Sequence, residues 1–226
     1  MGSARRKQKQ RAFRFPSGWG GRREGAGPKP RGERAGVSHR EREALASRFP
    51  VHVTMKLRAG LPSLRRGRAH AAVLNAFAGV RERAGFRLVH YSVQSNHVHL
   101  ICEARDRRGL ARGIQALAIR IAKRLNQLWH RAGKLFADRY HDHILRSPRE
   151  VRNALAYVLN NATKHGVALA RGELDPCSSG RWFGGWRNRA GELEEKIPLA
   201  RAQTWLLAFG WLRCGRIRPG EAPGGP

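Results

Sequence analysis

Two short segments near the middle of the chain alternate between apolar and polar residues. Residues 86–93 and 97–103 follow this pattern, and the polar residues 94–96 separate them. Alternation with period two is typical of β-strands, and a short polar break between two such runs is typical of a hairpin turn. The pattern therefore predicts a β-hairpin at the centre of the chain.

The same periodicities predict elements on both sides of this hairpin. Residues 49–57 alternate with period two and predict a first strand, and residues 135–145 predict a last strand. In residues 64–84 and 106–132, apolar side chains recur every three or four positions, which predicts two helices. A third helical pattern covers residues 147–165.

These elements follow one another as strand, helix, strand, strand, helix, strand and helix. A sheet built from such an order is antiparallel where strands are joined by hairpins, and its helices cover a face of the sheet. We therefore predict an α+β fold of the ferredoxin-like (split βαβ) type. It has an antiparallel sheet with two helices on one face, plus an added C-terminal helix.

The second strand of the hairpin begins with a His-Val-His sequence. Because strand side chains alternate between faces, His97 and His99 share one face, while Val98 and Leu100 point into the core. Two imidazoles roughly 6–7 Å apart along a strand can share a cation. An isolated pair is more often exposed or hydrogen-bonded on a sheet, so the motif needs a companion.

The third helix carries a candidate companion. It begins with the capping-box sequence Ser-Pro-Arg-Glu and ends before Gly166. Tyr157, Asn161 and Lys164 follow one another on its polar edge at helical spacing. Such a tyrosine is commonly a half-buried packing residue. With a carboxamide and a lysine at these positions it can also be a presented nucleophile with a metal ligand and a phosphate contact.

The two motifs together resemble a known family. The sequences are NHVHL at residues 96–100 and YVLNNATKHG at residues 157–166. In this order and spacing they resemble the HUH single-tyrosine transposases, in particular the REP-associated tyrosine transposases. The resemblance covers residues 49–167. One departure is Ala162, because the branch often has proline after the asparagine, and it affects the helix end more than the chemistry.

This resemblance implies an activity and roles for individual residues. Members of the family cleave and rejoin single-stranded DNA through a 5′-phosphotyrosine, with Mg²⁺ or Mn²⁺, at ends that form hairpins. His97 and His99 would be the metal-binding pair, Asn161 a third ligand and Tyr157 the nucleophile on a C-terminal catalytic helix. The sequence leaves open whether Tyr157 faces the histidines of its own chain or those of a partner in a homodimer.

The charge of the chain agrees with a nucleic-acid partner. Lys and Arg number 45 against 16 Asp and Glu, which gives a net charge of +29 and a pI near 11.8. A balance this basic favours a polyanion, and phosphate backbones fit it best. The exposed side of the helix at 106–132 is basic without acidic partners. The residues that we expect to contact DNA are Lys164, Arg112, Arg120, Lys123, Arg124 and His143.

A second His-x-His sequence offers a rival metal site. His141 and His143 would share a face of the last strand, but no tyrosine helix belongs to this pair in the family pattern. In the family the position of His143 is commonly histidine, which implies a DNA-contacting or supporting role. His52, on the outer side of the first strand, is expected to be exposed to solvent rather than to bind a metal.

The sequence also bears on the compartment. No stretch approaches the roughly 20 apolar residues of a membrane span, and no apolar core follows the basic amino terminus. Three widely spaced cysteines argue against a disulfide framework. We expect a cytoplasmic, nucleoid-associated bacterial protein without a membrane partner.

Composition suggests four regions along the chain. Residues 1–46 contain 13 Lys and Arg against 4 Glu and are expected to form a flexible basic arm. Residues 47–170 form the predicted catalytic domain. Residues 171–214 form an extension with an aromatic cluster, which packs or stacks on bases, and a further helix at 198–212. Residues 215–226 are expected to be a disordered tail.

Two other functions remain open on the sequence alone. The fold could serve as a nucleic-acid-binding module without catalysis, although the complete set of histidines, tyrosine and asparagine argues against this. Alternatively, the protein could be a metal-dependent nuclease that uses water, in which Tyr157 has only a structural role.

Overall fold

The structure is a computed structural model that describes residues 42–162, 169–170, 172–187 and 199–221. The predicted basic arm at residues 1–46 lies almost entirely outside the described residues. Among the described residues, no helix combines the length and apolar character that a membrane crossing needs.

Five strands form one antiparallel sheet in the order β2-β3-β4-β1-β5. The helices precede, connect and follow these strands as the sequence predicts, so the α+β fold is confirmed. The short β2 is an addition that the sequence did not predict. The strands are β1 (Val51–Lys56), β2 (Glu82–Arg83), β3 (Phe86–Val93), β4 (His97–Ala104) and β5 (His141–Ile144). The α-helices are α1 (Gly67–Ala78), α2 (Arg107–Leu128), α3 (Pro148–Leu159) and α4 (Trp205–Ala208).

The two faces of the sheet support separate hydrophobic cores. Val98, Leu100 and Cys102 of β4 point to the face that α1 and α2 cover. Ile101 of the same strand points to the other face, where it packs with α3 and the C-terminal segment. Strand alternation thus divides β4 between two cores. The face under α3 is the one that concerns function.

Local sequence features set the ends of the predicted elements. Asp106 caps α2 by accepting a hydrogen bond from Gly109 N at 2.7 Å. Ser147 and Glu150 form the predicted capping box of α3. The turn into β3 has Gly85 at φ 77°, a left-handed conformation that favours glycine.

Several predicted boundaries were too wide. Helix α1 ends at Ala78 instead of residue 84, because the chain turns there to form β2. Strand β5 begins at His141 instead of residue 135, although Phe136 still bridges to Leu57. The helix predicted at 198–212 is a short α4 followed by the 3₁₀ turn Gly210–Cys214.

Helix α3 also ends earlier than predicted. Its last residue is Leu159 rather than residue 165, and residues 160–162 form a turn. The side chain of Asn160 donates to the carbonyls of Arg218 and Glu221, both at 3.1 Å, and accepts from Gly220 N at 2.9 Å. These tertiary bonds hold Asn160 at the C-cap, and helical periodicity cannot reveal them.

The C-terminal segment packs on the sheet through a buried carboxylate. Glu103 of β4 accepts hydrogen bonds from the backbone N–H groups of Gln203 and Thr204, at 2.7–3.0 Å. Phe183 and Trp186 of the predicted aromatic cluster are buried in the hydrophobic core under α3. Both rings therefore pack within the fold and present no face to bases.

Candidate active site

The candidate site lies on the face of the sheet that α3 covers. Thr54 of β1 pairs with His99 of β4, and His52 of β1 pairs with His143 of β5. Cross-strand partners in an antiparallel sheet point to the same face. The pairing register therefore places His52, Thr54, His99 and His143, from three strands, on the sheet face that α3 covers.

Four rings of this face, those of His52, His97, His99 and Tyr157, form a chain of contacts within one subunit. The imidazoles of His97 and His99 stand at right angles, with 4.7 Å between their centroids. The Tyr157 ring meets His99 edge-on at 5.1 Å and His52 at 5.8 Å. The structure thus brings Tyr157 together with the predicted histidine pair, and it does so without a second copy of the chain.

Hydrogen bonds orient both imidazoles of the pair. Nδ1 of His97 lies 2.8 Å from Oδ1 of Asn96, and a carboxamide oxygen can only accept. Nδ1 of His97 therefore carries the proton, and its Nε2 keeps a lone pair. Nδ1 of His99 lies 3.0 Å from Thr54 Oγ1 and 3.2 Å from His52 Nε2. Both partners can accept from a protonated Nδ1, so these contacts are compatible with the same tautomer in His99.

Asn161 lies in the turn directly after α3 and is almost completely buried, at 1% exposure. Neither Oδ1 nor Nδ2 of its carboxamide has a hydrogen-bond partner among the described residues. The carboxamide lies close enough to Tyr157 to lower the pKa of its hydroxyl, against the effect of burial. The distance and angle between the two side chains nevertheless fall outside hydrogen-bond geometry. An unsatisfied buried amide is costly and points to a missing partner.

Burial shifts the pKa values of two rings at this site. Burial raises the pKa of the Tyr157 hydroxyl, and the neighbouring Asn161 partly opposes this rise. For His52, burial and then the proximity of His143 lower the pKa to about 4. His52 is therefore neutral at neutral pH and can accept a hydrogen bond from His99.

The expectation that His52 is exposed was wrong. The ring is largely buried, because it stacks on His99 at 5.2 Å between centroids under α3. Sequence reasoning also missed Thr54 as a partner of His99. Alternation in β1 places both side chains on the polar face, but only the register between β1 and β4 shows what they contact.

The donors present are compatible with a divalent cation. Among the described residues, no group of three or more His, Cys, Asp or Glu side chains could hold a metal. The candidate ligands are instead the Nε2 atoms of His97 and His99 and Oδ1 of Asn161. With Nδ1 protonated, both imidazoles keep a lone pair on Nε2, and the buried Asn161 amide supplies an oxygen, so this donor set fits a metal of the kind that imidazole and carbonyl groups accept.

The other predicted residues do not all join this site. Helix α2 covers the opposite face of the sheet, so its exposed basic side chains lie across the sheet from Tyr157. These side chains are Arg112, Arg120, Lys123 and Arg124. His143 is exposed on the same face as His52, as is its strand neighbour His141. Lys164 lies outside the described residues.

Comparisons with known proteins identify a matching family model and a structure with a similar fold. The family model described as "Transposase IS200 like" matches residues 51–161, which include the NHVHL motif and the first five residues of the tyrosine motif, 157–161. No curated protein matches the chain significantly. A solved structure of a REP-associated tyrosine transposase bound to a REP hairpin is 18% identical, with a TM-score of 0.53. The match covers 74% of this chain and 99% of that one, and it shows a common fold.

A second solved structure is more distant. It is a candidate transposase from Deinococcus radiodurans R1, 17% identical, with a TM-score of 0.36. The match covers 47% of this chain and 82% of that one. At this TM-score the likeness carries no structural argument.

Proposed function

The chain belongs to the IS200-like transposase family through residues 51–161, and from this membership we propose that it cleaves and rejoins single-stranded DNA through a phosphotyrosine. Tyr157 is the nucleophile, and hairpin-forming repeat or element ends are the substrate. The observation that carries the proposal is the edge-on contact of Tyr157 with His99, 5.1 Å between centroids, beside a pair of oriented imidazoles.

Charge and fold support DNA as the partner. The net charge of +29 favours binding to phosphate backbones. The REP-associated transposase that shares this fold is bound to a REP hairpin. In this proposal the exposed side of α2 holds DNA backbone with Arg112, Arg120, Lys123 and Arg124. His143, on the sheet face that α3 covers, contacts DNA nearer to the tyrosine, and Lys164 is a further proposed DNA contact.

In the cleavage step the phenolic oxygen of Tyr157 attacks the scissile phosphorus. A bond forms between this oxygen and phosphorus, and the bond from phosphorus to the 3′ oxygen breaks. The phenol loses its proton to water, and the leaving strand gains one as its 3′-hydroxyl. The 3′-hydroxyl of a second strand reverses these steps, so strands are exchanged with no net loss of phosphodiester bonds.

Tyr157 needs activation because burial raises its pKa and keeps the hydroxyl protonated. The candidate ligands for a divalent cation, Mg²⁺ or Mn²⁺, are His97 and His99 through Nε2 and Asn161 through Oδ1. Such a cation polarises a phosphate oxygen and stabilises negative charge in the transition state. Asn96 and Thr54 hold the two imidazoles, and α3 holds the phenol against them.

The contact between Tyr157 and His99 lies within one chain and supports a tyrosine that acts on the site of its own subunit. A homodimer remains a prediction, and so does the cytoplasmic, nucleoid-associated location. The division into a basic arm (1–46), a catalytic domain (47–170) and an extension (171–214) also remains a proposal. The expectation of a disordered tail at 215–226 was wrong for residues 215–221, because Ile217 is buried and Arg218, Gly220 and Glu221 bond to Asn160.

The experiment is to incubate the protein with Mg²⁺ or Mn²⁺ and a labelled single-stranded hairpin oligonucleotide, and to look for a covalent adduct on a denaturing gel. The adduct should form with the wild type and with Tyr140→Phe, a matched change at another half-buried tyrosine. It should be absent with Tyr157→Phe, which loses only the hydroxyl.

Other results would favour the alternatives. An adduct that survives Tyr157→Phe would remove the nucleophile assignment. Cleaved DNA without any adduct would favour a nuclease that uses water. Binding without cleavage by the wild type would favour a nucleic-acid-binding module.

A further inference from the structure

An exposed apolar surface lies on the C-terminal segment, residues 199–221. Most large hydrophobic side chains of the described residues are buried, but three close in sequence here are not. Trp205 is 50% exposed, Phe209 66% and Leu212 39%. Backbone hydrogen bonds from Phe209 N to Trp205 O (2.9 Å) and from Leu212 N to Phe209 O (3.0 Å) place the three one turn apart. We call these three side chains the aromatic surface.

Buried side chains of the same segment anchor the aromatic surface to the hydrophobic core. Leu206, Leu207 and Trp211 of the same segment are buried in the core under α3. The segment is thus apolar on its outer side as well as its inner side, a pattern that usually indicates a partner.

The exposed indole is also fixed in orientation. A Cβ atom at Gly210 would come within 2.6 Å of the Trp205 ring, so the ring lies directly against this backbone. Thr204, which precedes it, donates from N and Oγ1 to the buried Glu103 at 2.7 and 2.8 Å. A ring that is already immobile loses little entropy when a ligand stacks on it.

A positive charge lies against the aromatic surface. The Arg213 guanidinium lies 4.8 Å from the centroid of the Trp205 ring. Residues 199–220 contain four arginines and no acidic residue. This charge is complementary to phosphates, whereas a second copy of the chain would bring like charges together.

We propose that the aromatic surface binds unpaired nucleotides, with bases stacked on Trp205 and Phe209 and the backbone held by Arg213. Base faces stack on aromatic rings with little regard to sequence, and arginine adds cation–π and phosphate contacts. The surface therefore binds the single-stranded DNA next to a hairpin. This inference rests on the proposed function because it takes single-stranded DNA as the partner.

The test compares two labelled DNA hairpins, one blunt and one with a single-stranded extension of about a dozen nucleotides. Binding is measured by fluorescence anisotropy at one fixed salt concentration. The Trp205→Ala/Phe209→Ala variant should bind the extended hairpin roughly 5- to 100-fold more weakly than the wild type does. It should bind the blunt hairpin with unchanged affinity.

Glu82→Gln is the control, because the Glu82 side chain is 59% exposed and lies on β2, which carries no residue that we propose to contact DNA. It should leave both affinities unchanged. Because half of the Trp205 side chain is buried and the ring packs against Gly210, circular dichroism checks that the double variant is folded under the binding conditions. In addition, the extension should quench tryptophan fluorescence in the wild type more than in Trp205→Phe.

Equal affinity of the wild type and the double variant for the extended hairpin would overturn the proposal. So would a dimer that becomes a monomer in the double variant while DNA binding is unchanged, because the surface would then be an interface between copies. In either case an intact Tyr157 adduct would leave the proposed function standing. Failure of the wild type to bind single-stranded DNA would overturn both.

Discussion

The ring of Tyr157 stands edge-on to the imidazole of His99, at 5.1 Å between centroids and an interplanar angle of 84°. Helix α3 and strand β4, which carry these residues, are about fifty positions apart in sequence. The contact lies on the sheet face that α3 covers. No rearrangement of the fold is therefore needed to bring a phenol beside the histidine pair. What the phenol can do there depends on how the imidazoles are held.

Replacing Thr54 by valine should weaken metal binding. Thr54 Oγ1 lies 3.0 Å from Nδ1 of His99, and valine keeps the shape of the side chain without the oxygen. Loss of a group that orients a histidine ligand typically costs about 10- to 100-fold in metal affinity. We expect roughly a 10-fold weaker Mn²⁺ affinity, measured by calorimetry without DNA.

Thr54→Ser keeps the oxygen and should restore affinity to near the wild-type value. Equal Mn²⁺ affinities for wild type and Thr54→Val would show that Thr54 does not position His99. A wild type that binds no Mn²⁺ would instead remove the proposed metal ligands.

Strand alternation in the sequence predicts correctly that His97 and His99 share a face, because this feature is local. Their partners His52 and Thr54 come from β1, and the register between β1 and β4 is a long-range property. For the same reason, periodicity predicts α3 but not its end, which the bonds of Asn160 to residues 218–221 determine. A charge count shows that α2 is basic but not that it lies across the sheet from Tyr157.

Mutations of the adjacent residues Asn160 and Asn161 should change the free energy of unfolding in opposite directions. Asn161 is buried with both carboxamide atoms unsatisfied among the described residues. Asn161→Leu removes this cost and should raise the free energy of unfolding by about 1 kcal/mol, while covalent adduct formation is lost. Denaturant titration and the adduct assay measure the two effects.

The control is Asn160→Ala, because Asn160 makes three side-chain hydrogen bonds to the C-terminal segment. It should lower the free energy of unfolding by about 1–2 kcal/mol. If Asn161→Leu destabilised the protein as much as Asn160→Ala, the Asn161 amide would have a structural partner.

Stability should fall as the pH decreases from 6.5 toward 4. Burial lowers the pKa of both His52 and His90 to about 4. The unfolded chain, with histidine pKa values near 6.5, binds protons in this range that the folded chain does not. Stabilisation from the neutral rings is therefore complete above about pH 6.5 and is lost progressively as the pH falls to 4, about 3 kcal/mol per histidine.

Denaturant titrations at several pH values measure this dependence. His90→Gln should reduce the difference in unfolding free energy between pH 7 and pH 5, since glutamine does not titrate. His141→Gln, at an exposed position, should leave that difference unchanged. An equal effect of the two variants would contradict the assignment to buried histidine.

Glu103→Gln should loosen the C-terminal segment. The Glu103 side chain is 1% exposed, and its oxygens accept from Gln203 N, Thr204 N and Thr204 Oγ1 and from Arg87 Nε. Glutamine places an NH₂ group where these donors need an acceptor, and it leaves the Arg87 cation without its buried partner. We expect the free energy of unfolding to fall by about 2–4 kcal/mol.

The matched control is Glu82→Gln, because Glu82 also pairs with Arg87 but at 3.8 Å and with 59% of its side chain exposed. An exposed pair at this distance contributes little, so the control should stay within about 0.5 kcal/mol of the wild type. Limited proteolysis at low denaturant should cut Glu103→Gln first in residues 199–221, since these are the residues that the carboxylate holds to β4. Equal loss of stability in the two variants would mean that Arg87, rather than the backbone of Gln203 and Thr204, accounts for the role of Glu103.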